Sequence, residues 1–417
     1  MTGKNFKEID IEFVRAQFPA FSEQKLANNA FFENAGGSYM CKQVISRFDR
    51  YFKQRKVQPY GLYKASELAG QEMDEARKRM AEYLNVNSDE VLFGPSTSQN
   101  TYVLAQGFLN NMGNRNKIIV SEQEHEANAG AWHRMKNNGV DVYLWKINPD
   151  NGCLDIEDLN KLMDEKVFLV AVTHCSNIIG EINPIKNISK LVHKAGALLI
   201  VDGVSYCPHG LPDVSELGAD IYLFSTYKTF GPHQGVMVIR NTAKQKLENQ
   251  SHFFNSESSD KFMVPAGPDH AQIAACNGII DYFDLIDKHH YPDENNSLQP
   301  SNKRKRVSDL FRNSEINNLK PLLDYISDRD DLRLIGPNNN VLRAPTIAFT
   351  SASKNPETVV KALANKGIMA GAGDFYAVRP LKALGVNPDI GVVRLSFVHY
   401  TSKNEIKAAI KALDAVL

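Results

Sequence analysis

The sequence predicts an α/β protein: a large domain with a mostly parallel sheet flanked by helices, and a small α+β domain beside it. Three observations carry this. Short apolar runs close on polar residues: 198–201 ends in Asp202, 221–224 ends in Ser225, Thr226, Tyr227 and Lys228, and 236–239 follows a turn at Gly231 to Gly235. Such runs read as strands buried on both faces. Segments of helical period recur between strands, as a parallel sheet requires. Finally, a polar stretch with two prolines, 289–302, separates this region from a smaller mixed unit. The large domain is expected over 30–288, and the small one over 1–29 and 289–417.

Taken in order, residues 11–18 form a short amphipathic segment stopped at Pro19. Phe31 and Phe32 enter a small strand, and Asn34, Ala35, Gly36 and Gly37 make a turn open to close backbone approach. A helix over 67–84 ends before Asn85, and a strand over 91–93 leads into a helix over 101–109. Thr97 and Ser98, just before that helix, suit capping or an anion held by free N–H groups and the helix dipole. Strand 117–121 precedes His125; strand 140–147, helix 156–163 and strand 167–172 follow. A helix over 188–194 closes at Gly196, a C-cap candidate. Another helix runs to Phe283. Past the linker, the basic cluster Lys303 to Arg306 opens a solvated helix, and 321–326 forms a short helix with Pro321 in its first turn. Strand 344–349, helix 357–365, strand 392–398 and helix 403–417 complete the small domain.

Composition excludes several function classes. Lys+Arg and Asp+Glu both number 48 in 417 residues, so no net charge draws the chain to nucleic acid or a membrane surface. The five cysteines form no CxxC pair, which argues against a zinc site or a disulfide scaffold. The first residues contain no apolar signal core, and no stretch is long enough to span a bilayer, so a cytoplasmic enzyme is expected.

The open end of a parallel sheet is where α/β proteins bind ligands. Asp202 and Lys228 both arrive there. Pyridoxal phosphate needs a lysine for its Schiff base and a carboxylate to keep its ring nitrogen protonated. Taken alone, the pair is as readily a surface lysine and an unrelated strand-end acid.

The surrounding motifs decide between these. VDGVS and STYKTFGP resemble the class-V aminotransferase family of fold-type I pyridoxal-phosphate enzymes, nearest to its cysteine desulfurase and selenocysteine lyase branch, from Phe32 to the end of the chain. The resemblance implies that Lys228 bears the Schiff base and acts as general base at Cα, with Asp202 on the ring nitrogen. It implies that Thr97, Ser98 and Ser225 hold the phosphate. Glu124, His125, Ala127 and Asn128 match Glu-His-x-Ala-Asn, which places His125 on the ring face. Asn177 and Gly180 match Ser-Asn-x-x-Gly, which gives Asn177 the ring hydroxyl. Ser205 and Tyr227 belong to the same cofactor set. Arg394, in Arg-x-Ser, becomes the clamp for the substrate carboxylate, with Arg379 a second candidate; Asn34, Ala35, Gly36 and Tyr376 border the substrate. Specificity would come from the loops at Asn34, Tyr60, His233, His270 and Tyr376. The family works as homodimers with sites at the interface, and a sulfur-accepting partner is left open.

The chain also departs from that pattern. The loop over 371–380, where desulfurases carry a nucleophilic cysteine, has none; Tyr376 lies nearest its place. Tyr227 replaces the usual histidine before the lysine, Ser205 replaces a glutamine, and Pro268 follows Gly267 where a cross-subunit phosphate contact uses Gly-Thr. Cys175 and Cys207 read as inert packing near the cofactor residues. The expected function is a pyridoxal-phosphate enzyme for an α-amino acid, desulfurase-like or C–S lyase-like. Transamination is the alternative, then epimerisation, then a non-catalytic binding protein on the same scaffold.

Overall fold

The computed structural model describes residues 7–292 and 298–417. In chain order the strands are β1 (Ala30–Phe31), β2 (Val91–Gly94), β3 (Lys117–Ser121), β4 (Asp141–Trp145), β5 (Val167–Thr173), β6 (Leu198–Asp202), β7 (Ile221–Ser225), β8 (Gly235–Ile239), β9 (Leu332–Ile335), β10 (Thr346–Ser351), β11 (Ile368–Met369), β12 (Gly371–Gly373) and β13 (Val392–Ser396). Strands β2 to β8 form one sheet in the order β2-β8-β7-β6-β5-β3-β4, in which β8 alone runs against the rest.

This sheet is apolar on both faces because its strands alternate between two cores. Leu199 and Val201 of β6 join one core with Tyr222 and Phe224 of β7. Leu198 and Ile200 join the other with Ile221 and Leu223. Each such buried side chain contributes about 1.5–3 kcal/mol. Helices cover both faces, and the polar strand ends are left at one edge of the sandwich.

A second sheet has the order β12-β13-β10-β9 and is antiparallel. It packs against Leu319, Leu322, Leu323 and Ile326 and the C-terminal helix Lys403–Val416. Strand β1 pairs in parallel with β11, Ala30 opposite Ile368. Glu33 then bridges to Ser396. The turn that follows β1 is therefore anchored on the C-terminal unit.

Several element expectations are corrected. Residues 300–327 form one helix, Pro300–Ser327, with Pro321 in its interior. The apolar face on both sides of the proline is buried, and that packing overrides the proline's breaking tendency. The basic cluster is only partly solvated: Lys305 is exposed, but Arg304 is buried and donates to Leu211 O at 3.1 Å and Asp213 at 3.2 Å, while Arg306 pairs with Asp287 at 2.7 Å. The linker shrinks, since one helix reaches His290 and the next starts at Pro300; its centre, 293–297, lies outside the described residues. The helix of 101–109 starts earlier, as Thr97–Phe108, with Ser96 as its cap accepting from the Gln99 N–H at 3.2 Å.

Candidate active site

Five strands that run the same way end at a common cavity of about 220 Å³. Thr97 follows β2, His125 follows β3, Asn177 follows β5 and Lys228 follows β7, while Asp202 is the last residue of β6. Each side chain is placed by the same local logic. A buried apolar strand cannot continue past its last apolar residue without exposing backbone, so the chain turns there and its polar residues gather at the sheet edge.

One end of the cavity is built for an anion. Thr97 and Ser98 line the cavity from the first turn of the twelve-residue helix Thr97–Phe108, where backbone N–H groups have no partner within the helix. Thr97 Oγ1 is buried with no hydrogen-bond partner, and Ser225 lines the same end. A buried hydroxyl without a partner is costly, and a phosphate oxygen satisfies it.

Asp202 sits deep in the site. Its Oδ1 accepts the Val204 N–H at 2.9 Å. Burial pushes its carboxyl up from the ordinary range, while the Val204 bond and Lys228 oppose that rise. Beneath it lies a second buried acid, Glu124, held by Ser121 Oγ at 2.5 Å and Asn128 Nδ2 at 2.7 Å. Burial and then the neighbouring Asp202 push Glu124 up to about 8, so it stays neutral at pH 7 and spares Asp202 a like charge.

Lys228 is partly exposed by surface area, but what it is exposed to is the cavity, with protein on the other sides. Burial and the Arg394 charge lower its pKa to about 8, against the pull of Asp202 and Glu33. A free amine near neutral pH is what a nucleophilic lysine needs. In cofactor-free protein the sign of the linkage follows. The folded lysine titrates near 8 and the unfolded one near 10.5, so stability rises with pH across that window. A Lys228→Met chain is expected to melt above the wild type at pH 7, and its advantage to fade as pH climbs from 8 to 10.5. Thermal melts across that range check this; an advantage that grows with pH contradicts it.

His125 caps the helix Glu126–Arg134, its Nδ1 accepting the Ala127 N–H at 3.0 Å. Burial, Lys228 and Arg394 lower its pKa to about 3, so the ring is neutral with its proton on Nε2. It lines the cavity together with Thr97, Ser98 and Asp202. Asn177 gives its Nδ2 to Phe375 O at 2.9 Å, and its Oδ1 is buried without a partner. Ser205 and Gly36 line the cavity, and Tyr227 stands at its mouth, tilted against His233 at 5.4 Å.

Other expected residues lie around this cavity rather than on it. Asn34 is buried, donating to Ser396 O at 3.2 Å and accepting from Tyr400 OH. Ala35 gives its N–H to Ser396 Oγ at 2.8 Å. Tyr376 is exposed, with its ring 5.3 Å from that of His125. Arg394 is buried against Glu33, and Arg379 pairs instead with Glu126. Tyr60 and His270 line a separate cavity with Gly267 and Pro268, away from Lys228. The residues sequence reasoning missed are Glu33 and Phe375, both in contact with Arg394. Glu33 had one available signal: it directly precedes the Asn34 turn.

Burial makes the thiols poor nucleophiles. Cys41, Cys153, Cys175 and Cys276 are each pushed up to about 12, and Cys207 higher still. Cys175 lines the cavity but remains a protonated thiol.

The Aminotransferase class-V family matches residues 30–301 and 309–409. The chain is 34% identical over 421 residues to the aminotransferase-like protein FGM3 of Gibberella zeae, covering 98% of each. It is 29% identical to the cysteine desulfurase-like protein ustD of Aspergillus flavus, covering 98% of this chain and 91% of that one. Among solved structures, the apo cysteine desulfurase of Thermococcus onnurineus superposes with a TM-score of 0.83 at 24% identity, over 100% of this chain and 99% of that one.

Proposed function

The chain belongs to the class-V aminotransferase family, and on that premise we propose that it is a pyridoxal-phosphate enzyme that acts on an α-amino acid as a C–S lyase or desulfurase. One observation carries the reading: Lys228, with a lowered pKa, and the buried Asp202 face the same cavity, which also ends in an unsatisfied anion site. The donor set fits the cofactor. Thr97, Ser98 and Ser225 would hold its phosphate, His125 its ring face, Asn177 and Ser205 the ring hydroxyl edge, and Asp202 its ring nitrogen. When bound, the cofactor supplies an electron-accepting ring that spreads negative charge from the substrate Cα.

The chain's own residues supply the rest. Lys228 Nζ anchors the cofactor and then, as a neutral amine, removes and returns the proton at Cα. Asp202 would face the ring nitrogen, its carboxylate favoured by the Val204 N–H and by Lys228 against the upward push of burial. His125 excludes water from one ring face without adding charge. Arg394 orients the substrate carboxylate through its planar fork. Homodimer assembly belongs to the same proposal, supported by the exposed Leu62, Phe253 and Phe254, apolar groups that suit a covered face. So do the division into 30–288 and 1–29 with 289–417, and a cytoplasmic location; no helix among the described residues is long and apolar enough to cross a membrane.

The unreactive thiols favour release of the leaving group to solvent or a separate acceptor over transfer to an enzyme cysteine. They equally suit transamination, the second reading. The deciding experiment mixes holoenzyme with L-cysteine, cysteine sulfinate or L-alanine and no keto acid. The lyase reading expects sulfide or sulfite and a carbon product to accumulate over many turnovers. A single stoichiometric turnover, repeated only on adding a keto acid, assigns transamination instead.

A further inference from the structure

The guanidinium read as the substrate clamp is already holding a carboxylate. Arg394, on β13, is 2% exposed, and its Nη2 pairs with Glu33. Its Nη1 donates to Asn177 O at 3.3 Å, and the Phe375 ring covers it, with Cζ 3.7 Å from the ring centroid. The Glu33 carboxylate lies in a slot between two glycines. A Cβ on Gly36 would fall 2.9 Å from Oε1, and a Cβ on Gly371 would fall 2.2 Å from Oε2.

The slot is shaped for a carboxylate, yet Glu33 fills it incompletely. Its Oε2 is buried without a hydrogen-bond partner, and so is Arg394 Nε. A carboxylate free to choose its angle would meet two guanidinium nitrogens at once; one tethered to residue 33 meets one. The cover is also under tension. Phe375 and Tyr376 have φ of 52° and 58°, left-handed values that bulky side chains rarely adopt.

We propose that Glu33 is an internal stand-in for the substrate's α-carboxylate, exchanged for it on Arg394 when an amino acid binds. This rests on Arg394 being the carboxylate clamp. The substrate carboxylate takes Nε and Nη2 together, and Glu33 turns outward, where its side chain is already 28% exposed. The Phe375–Tyr376 turn relaxes as it lifts. The buried arginine is never left without a counter-charge, which would be costly at either stage. An amine lacking the carboxylate cannot complete the exchange, so the device selects amino acids over simple amines.

The test needs no cofactor. In cofactor-free Glu33→Ala protein the slot is vacant and Arg394 unpaired. Added sodium acetate is expected to raise its Tm by about 2 °C or more, saturably and beyond sodium chloride at equal ionic strength. Wild type and a Glu33→Ala/Arg394→Met double variant are expected to show no such increment. If Glu33→Ala does not fold, Glu33→Gln takes its place in the same titration. A single variant whose Tm ignores acetate, or a double variant that responds equally, overturns the proposal. A wrong cofactor assignment shows itself separately, as failure of pyridoxal phosphate to attach to Lys228, and leaves the acetate result intact. In holoenzyme, Glu33→Gln is expected to lower KM for the amino acid about tenfold at unchanged kcat. A purely structural brace would give an unchanged or higher KM.

Discussion

A Lys228→Ala chain, incubated with pyridoxal phosphate and reduced with borohydride, gains no cofactor mass, and its turnover of any amino acid falls by about 10³–10⁴-fold. The size of the loss reflects two tasks carried by one nitrogen: anchoring the cofactor and moving the Cα proton. The amine lies in the cavity, and burial with Arg394 holds it near pH 8 rather than 10.5. No other lysine lines that cavity among the described residues. Intact-mass spectrometry after reduction checks the attachment, and a steady-state assay checks the rate. Cofactor mass appearing on another lysine, or activity within tenfold of wild type, removes Lys228 from the centre of the mechanism.

Asp202→Asn keeps the shape and removes the charge. Its expected cost is a fall of about 10²–10³-fold in kcat, the scale of losing one preorganised electrostatic contact. Cofactor affinity weakens less, because the anion end at Thr97, Ser98 and Ser225 is untouched. The amide cannot favour a protonated ring nitrogen, so the cofactor's visible spectrum and its pH dependence should also shift. A variant with normal kcat and an unaltered spectrum would show that Asp202 is a structural acid. Glu124→Gln is the control: a group already neutral at pH 7 loses little by becoming an amide.

The large sheet was legible because β3, β5, β6 and β7 are two-sided apolar runs, a pattern with little competition. The acid and the lysine were legible because Asp202 ends its apolar strand and Lys228 sits in the short polar turn that closes the next one. Helix Lys42–Gln54 went unread although Val44, Ile45, Phe48, Tyr51 and Phe52 recur with helical period, because no side-chain cap or breaker residue marks either of its ends. Pro321 split one helix in two on paper, since local propensity carries no information on what packs against residues 319–326. The pairing of Glu33 with Arg394 was beyond reach for another reason. The two stand 361 residues apart, and no local rule couples them; only the register of β12 and β13 and the bridge from Glu33 to Ser396 bring them together.

That anchoring of the Asn34 turn on the C-terminal unit sets a timetable for synthesis. Asn34 waits for Ser396, 362 residues downstream. At about 5–20 residues per second, a ribosome takes roughly 20–70 s to supply it. By then β2 to β8 have long emerged, so the nascent chain carries Thr97, Asp202 and Lys228 before it has a wall to close over them. Apolar Phe31 and Phe32 lack their strand partners until Met369 and Ser396 are made, which leaves the N-terminal segment exposed while the large sheet already forms.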